Sequence, residues 1–132
     1  MDISRPQPTA KGPAEWFTGD VFMDVVVRNP EPSAVRMNLV RFTPCARTAW
    51  HSHPRGQQLV VVVVDGVGLV QARGGAVQVL RPGDVFWTPP GEEHWHGAAP
   101  DHAMAHYALW EGDETAWGDL VTDEEYGYPV GD

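Results

Sequence analysis

Apolar residues along the chain gather in runs of four to eight, and each run is closed by a cluster of turn-forming residues. Runs at 22–28, 35–42, 48–53, 57–64, 68–73, 76–80, 84–88, 94–97 and 103–110 have the length of β-strands, and RNPEPS, HPRG, RGG, RPGD and PPGEE punctuate them. Many short strands separated by turns predict an all-β sandwich or barrel. Parity within a strand then assigns faces. In 35–42, Asn38, Val40 and Phe42 share one face, taken as inward because Val40 and Phe42 bury cheaply, and Arg41 faces out. In 103–110, Met104, His106, Ala108 and Trp110 share a face. Trp50 has the opposite parity to His51 and belongs to an outer layer.

The run LVVVVV at 59–64 does not alternate, which predicts a strand covered on both sides, with a second subunit as its simplest outer cover. A homodimer or higher homo-oligomer is therefore expected. Residues 1–14 carry three prolines and little apolar content, and read as an extended arm suited to lie on a neighbouring subunit. One domain over 15–110 follows. From Glu111 the last 22 residues hold eight acids and no base, and read as a solvated acidic tail over 111–132. Within it TDEEYG, capped by Thr122, is a short-helix candidate.

Composition narrows the partners. With 14 Gly and 12 Pro the chain suits strands and turns more than helices. Nine Lys and Arg against 18 Asp and Glu give a net charge of −9, which repels phosphate backbones and anionic membrane faces, so neither nucleic acid nor a membrane is expected as partner. No apolar run approaches the roughly 20 residues of a transmembrane helix, and the first ten residues lack a signal-peptide core, so a cytoplasmic protein acting on a small molecule is expected. Lone Cys45 has no partner for a disulfide or a zinc ribbon and reads as a small buried hydrophobe.

Four of the six histidines fall in two pairs, His51-Ser52-His53 and His94-Trp95-His96. Residues two apart on a strand point to the same face, about 7 Å apart at the backbone, so each pair sends two imidazoles into one space. Gln57 keeps the parity of His53 if the HPRG turn returns the chain to that face. Burying such rings with no shared partner costs about 1–3 kcal/mol for each unsatisfied group, and a metal satisfies several at once.

These segments resemble the signatures of the cupin family. In G-x5-H-x-H-x3or4-E-x6-G, Cys45 stands at the first Gly, His51 and His53 match, Gln57 replaces Glu, and the closing Gly comes late as Gly66. In G-x5-P-x-G-x2-H-x3-N, Gly83, Pro89, Gly91 and His94 match and Ala98 replaces Asn. The resemblance implies a single-domain cupin double-stranded β-helix, a jelly-roll barrel. More narrowly, ARTAWHSHPRGQ followed by PPGEEHWHG is similar to small bacterial cupins that act as manganese-dependent hydroxynitrile lyases. It implies His51, His53, Gln57 and His94 as ligands of one divalent ion, with Mn favoured and Fe, Ni, Co or Zn also compatible; Gln58 is the rival for the third place.

All four ligands are neutral, so the ion keeps its full charge and acts as a Lewis acid. His106 would then accept the hydroxyl proton of a cyanohydrin and His96 steady the departing cyanide, in a pocket that includes Asn38, Val40, Phe42 and Trp110. An ordinary histidine pKa near 6.5 implies activity falling below about pH 6. His102, beside Asp101, reads as solvated surface. A cupin dioxygenase using the same metal, and a small-ligand-binding cupin without chemistry, are the competing readings.

Overall fold

The computed structural model describes residues 1–54 and 58–127. Among them there is no helix, and hence none long and apolar enough to cross a membrane. Thirteen strands form: β1 (Ala10–Lys11), β2 (Phe17–Thr18), β3 (Val21–Arg28), β4 (Val35–Phe42), β5 (Arg47–Thr48), β6 (His51–Ser52), β7 (Leu59–Gly66), β8 (Gly68–Ala72), β9 (Gln78–Leu80), β10 (Val85–Thr88), β11 (His94–Ala98), β12 (Met104–Glu111) and β13 (Ala116–Trp117). They make two antiparallel sheets. One runs β1-β3-β4-β12-β7-β10; the other runs β13-β6-β11-β5-β2, with β8 joining β11 to β9.

The main strands follow the apolar runs, with one informative break. The run at 48–53 is not one strand but β5 and β6, because the backbone changes partner between them: Ala49 N–H donates to Trp16 O (2.8 Å) and Trp50 N–H to Asp119 O (3.0 Å). Ladder partners from both chain ends override the local pattern.

The inward faces of the two sheets meet in a core of Phe17, Val21, Val40, Phe42, Ala46, Val63, Leu80, Ala98 and Met104, which grades into Leu59, Val61 and Ala108 at one end. In β7, Leu59, Val61 and Val63 are buried, whereas Val60 and Val62 are only half-buried and Val64 is exposed. The uniform valine run therefore behaves within one chain as an alternating strand. Its outward valines continue, with Val85 and Trp87, an apolar outer face.

Both flanks join the barrel. Ala10 and Lys11 pair with Met23 and Phe22 of the same chain. Beyond Glu111 the chain is not simply a solvated tail: β13 pairs with β6, and Val121 and Tyr126 are buried with Trp50, Leu69 and Trp95 in a second cluster. The buried Arg47 guanidinium donates to Val121 O (2.7 Å) and lies 4.5 Å over the Tyr126 ring, whose hydroxyl donates to Ala98 O. Residues 123–127 form turns instead of the expected helix, although Thr122 does cap them, its Oγ1 accepting from Glu125 N–H (3.0 Å).

Cys45 is half-buried and holds φ at +73°, the left-handed region where a Cβ is strained, which explains why Gly is the signature residue at this position. Cys45→Gly is expected to unfold in urea within about 0.5 kcal/mol of the parent, since relief of strain offsets the added backbone freedom. Cys45→Val, β-branched at a positive φ, should cost about 1–3 kcal/mol in the same titration.

Candidate metal centre

His51 sits on β6, His53 one residue past its end, and His94 opens β11 directly opposite His51 in the ladder. One ligating atom from each lies within 4.8 Å of the others, and all three residues are buried. The donor nitrogens can be assigned. His51 Nδ1 lies 2.9 Å from Ala49 O and His94 Nδ1 2.9 Å from Glu92 O. A carbonyl only accepts, so both Nδ1 atoms carry the proton and donate it, leaving Nε2 of each ring as a free lone pair.

His53 has both ring nitrogens sealed from solvent with no hydrogen-bond partner, and His94 Nε2 is sealed and unpartnered as well. Orphaned buried nitrogens of this kind cost about 1–3 kcal/mol each unless a ligand takes them. A divalent ion fits this donor set: three neutral imidazoles, two of them already turned by backbone carbonyls to aim Nε2. Gln57 lies outside the described residues. Its rival Gln58 is exposed and its Oε1 accepts from the Trp87 indole, so it is engaged elsewhere.

Two of the other three histidines are buried beside the cluster. His96, two residues along β11, has its Nδ1 3.0 Å from Nε2 of His106, which is fully buried on β12 opposite Val40. The His96 ring stands 5.3 Å from His51 and 5.9 Å from His94, so the pair adjoins the three-histidine cluster without belonging to it. Phe42 packs on both rings, at 6.0 Å from His96 and 5.3 Å from His106. His102 is exposed and hydrogen-bonded to Asp101.

Burial is the largest influence on all five imidazoles. It holds His51 and His96 well below the ordinary range, and neighbouring histidines push both further the same way. It lowers His94, while the Glu92 carbonyl works against it. It brings both His53 and His106 down to about 4. The ordinary pKa assumed from sequence does not survive folding: at neutral pH these rings are uncharged.

A cavity of about 130 Å³ opens beside the cluster. Asn38, Val40, Phe42 and Trp110 line it, as do His51, His53, His96 and His106. Sequence parity missed Phe17, Met23, Thr48, Leu59, Thr115 and Trp117 in its walls. For Trp117 the only signal is an indole in a segment otherwise rich in acids. Among the described residues no Lys, Arg, Asp or Glu lines the cavity.

Two curled antiparallel sheets with buried imidazoles from two separated segments at a cavity define a class of β-barrels with a histidine cluster placed to bind a metal. A family model described as "Cupin domain" matches residues 38–112, and the chain belongs to the cupin family. It is 50% identical over 131 residues to an (R)-mandelonitrile lyase from Granulicella tundricola, covering 96% of this chain and 98% of that protein. A cupin-like protein from Thermotoga maritima superposes with a TM-score of 0.84 at 35% identity, over 97% of this chain and 96% of that one. A cupin 2 conserved barrel domain protein from Rhodopseudomonas palustris, 15% identical, has the same fold, with a TM-score of 0.70 over 95% of this chain and 84% of that one.

Acid should therefore unfold the metal-free protein through its histidines. His106 has a folded pKa of about 4 against an ordinary 6.5, so between these values the unfolded chain binds more protons and stability falls as pH falls. The contribution is complete above pH 6.5 and lost by pH 4, about 3 kcal/mol for this one group. Urea titrations of chelator-treated protein at pH 7 and pH 4 check this; His106→Phe should show a smaller drop between them.

Proposed function

We propose that the protein is a metal-dependent lyase that cleaves and forms cyanohydrins, releasing an aldehyde and hydrogen cyanide. The observation that carries this reading is the juxtaposition of a carboxylate-free imidazole cluster with a hydrogen-bonded His96–His106 pair on an uncharged cavity. The 50% identity to an (R)-mandelonitrile lyase supports it and favours an aromatic cyanohydrin.

His51, His53 and His94 would hold the ion, with Gln57 as fourth ligand and Mn as the favoured metal. Bound there, a divalent ion supplies a positive centre that acidifies a nearby hydroxyl. The rest of the chemistry falls to the chain. The sealed ring nitrogens without partners include His106 Nδ1 but not His96 Nε2, so the base role that the resemblance suggested for His106 passes here to His96. With His96 Nδ1–H donating to His106 Nε2, the lone pair of His96 Nε2 is left to take the substrate hydroxyl proton, and His106 fixes that tautomer from behind. As the carbonyl forms, the C–C bond breaks and its electron pair leaves on cyanide, which takes the proton back from His96 and departs as HCN. Burial keeps His96 neutral and ready to accept.

The walls constrain the substrate. No Lys or Arg among the described lining residues adds a second positive charge beside the metal site, and Val40, Phe42, Ala108 and Trp110 suit a neutral apolar group. Neutral cyanohydrins meet that requirement.

Metal analysis and cyanide release from mandelonitrile test the reading together. Wild type is expected to carry about one equivalent of a divalent metal and to release cyanide. His51→Ala should lose both. His96→Ala should keep the metal and lose about 10²- to 10⁴-fold in rate, the usual contribution of a positioned base. Metal-loaded protein that leaves every cyanohydrin intact but consumes oxygen when loaded with iron would replace this reading by the dioxygenase one.

A further inference from the structure

The stretch matched by the cupin family, 38–112, contains the three clustered histidines and the His96–His106 pair. One wall of the cavity does not come from that stretch. Phe17, Met23, Thr115 and Trp117 belong to the flanking segments, before and after it. Trp117 touches the metal cluster directly: on β13 it pairs with His51 of β6, and its ring centroid lies 4.8 Å from that imidazole. Its other side is occupied by Trp16, parallel within 4° at 5.0 Å, and Phe17 abuts it at 5.9 Å.

Trp117 is thus gripped between a surface indole and a buried imidazole. Neither support is loose. Gly118 N–H donates to Trp50 O (2.7 Å) and Trp50 N–H to Asp119 O (3.0 Å), which ties down the chain beside β13; Ala49 N–H donates to Trp16 O (2.8 Å), which ties down the backbone that carries the bracing indole. Swinging the indole aside would give up its stack on Trp16 and its tilted contact with His51, which opposes widening of the cavity on that side. At about 130 Å³ it has room comparable to the cavities of about 150 Å³ that hold one benzene ring.

We propose that Trp117, braced by Trp16, is the specificity-determining residue of the site, restricting it to substrates with a single-ring or smaller substituent. The substrate being a cyanohydrin rests on the function proposed above; the size limit concerns the cavity and holds for any reaction there.

The test compares binding of benzyl alcohol and 2-naphthylmethanol to metal-loaded wild type, Trp117→Ala, Trp117→Phe and Trp16→Ala by calorimetry, with metal content measured on each sample. Wild type should favour benzyl alcohol by about tenfold or more. Trp117→Ala should shift the ratio toward the two-ring alcohol by at least about tenfold, in the range that a change of one or two carbon units in an apolar pocket produces. Trp117→Phe and Trp16→Ala should shift it the same way by less. If Trp117→Ala loses its metal through the lost contact with His51, the other two variants decide. An unchanged ratio in every metal-retaining variant overturns the proposal. Cyanide release on the same samples separates the two ideas: with no release from any of them, a shifted binding ratio still upholds the wall and only the lyase reading falls.

Discussion

Five imidazoles share the interior of one small barrel, and each of their ring nitrogens has to find a partner there or carry the cost of burial alone. The chain solves this in two ways. Backbone carbonyls of Ala49 and Glu92 take the Nδ1–H of His51 and His94, and the remaining lone pairs lie within 4.8 Å of one another and of a His53 nitrogen, close enough for one cation to bind all three rings. His96 and His106 pair through one nitrogen each, which leaves His106 Nδ1 sealed without a hydrogen-bond partner. Neutrality follows from the same burial, so the rings that would hold the ion and those that would move a proton are all uncharged bases at pH 7.

That constraint also explains the local irregularity of the fold. His51 and His94 must face each other across the ladder between β6 and β11, yet the segment leading to His51 also pairs with the chain start through Ala49 and with the chain end through Trp50. A regular six-residue strand could not serve all three. It breaks into two short strands, and the residues around the break, Trp50 outward and His51 inward, keep the parity that alternation demands.

Most of this was legible in the residues themselves. The alternating runs give the main strands, and the i, i+2 spacing gives the shared face of each histidine pair, because both depend on the two-residue period of a strand. What was not legible depends on partners distant in sequence. Val121 and Tyr126 are scattered apolar residues in an acid-rich segment, and Trp50, Leu69 and Trp95 from distant strands, with Arg47 and Ala98, make them core. Trp117 is inconspicuous until β13 sets it opposite His51. Spacing puts His96 and His106 on inward faces but not 3.0 Å apart, and it says nothing of the desolvation that takes His106 to about 4.

The division between centre and rim has a physical logic. Metal ligation and proton transfer demand fixed distances, which ladder pairing within the 38–112 stretch provides: His94 against His51, Val40 against His106. Shape selection needs only bulk at the right place, and bulk can be supplied by segments that dock on the barrel from either end, provided they are held. Here they are held against each other, Trp16 on Trp117 and Trp117 on His51. A side-chain change in either flank would therefore alter the room beside the centre without touching the His94–His51 and Val40–His106 pairings, a route by which one barrel could keep its chemistry and exchange its substrates through residues that the family signatures do not include.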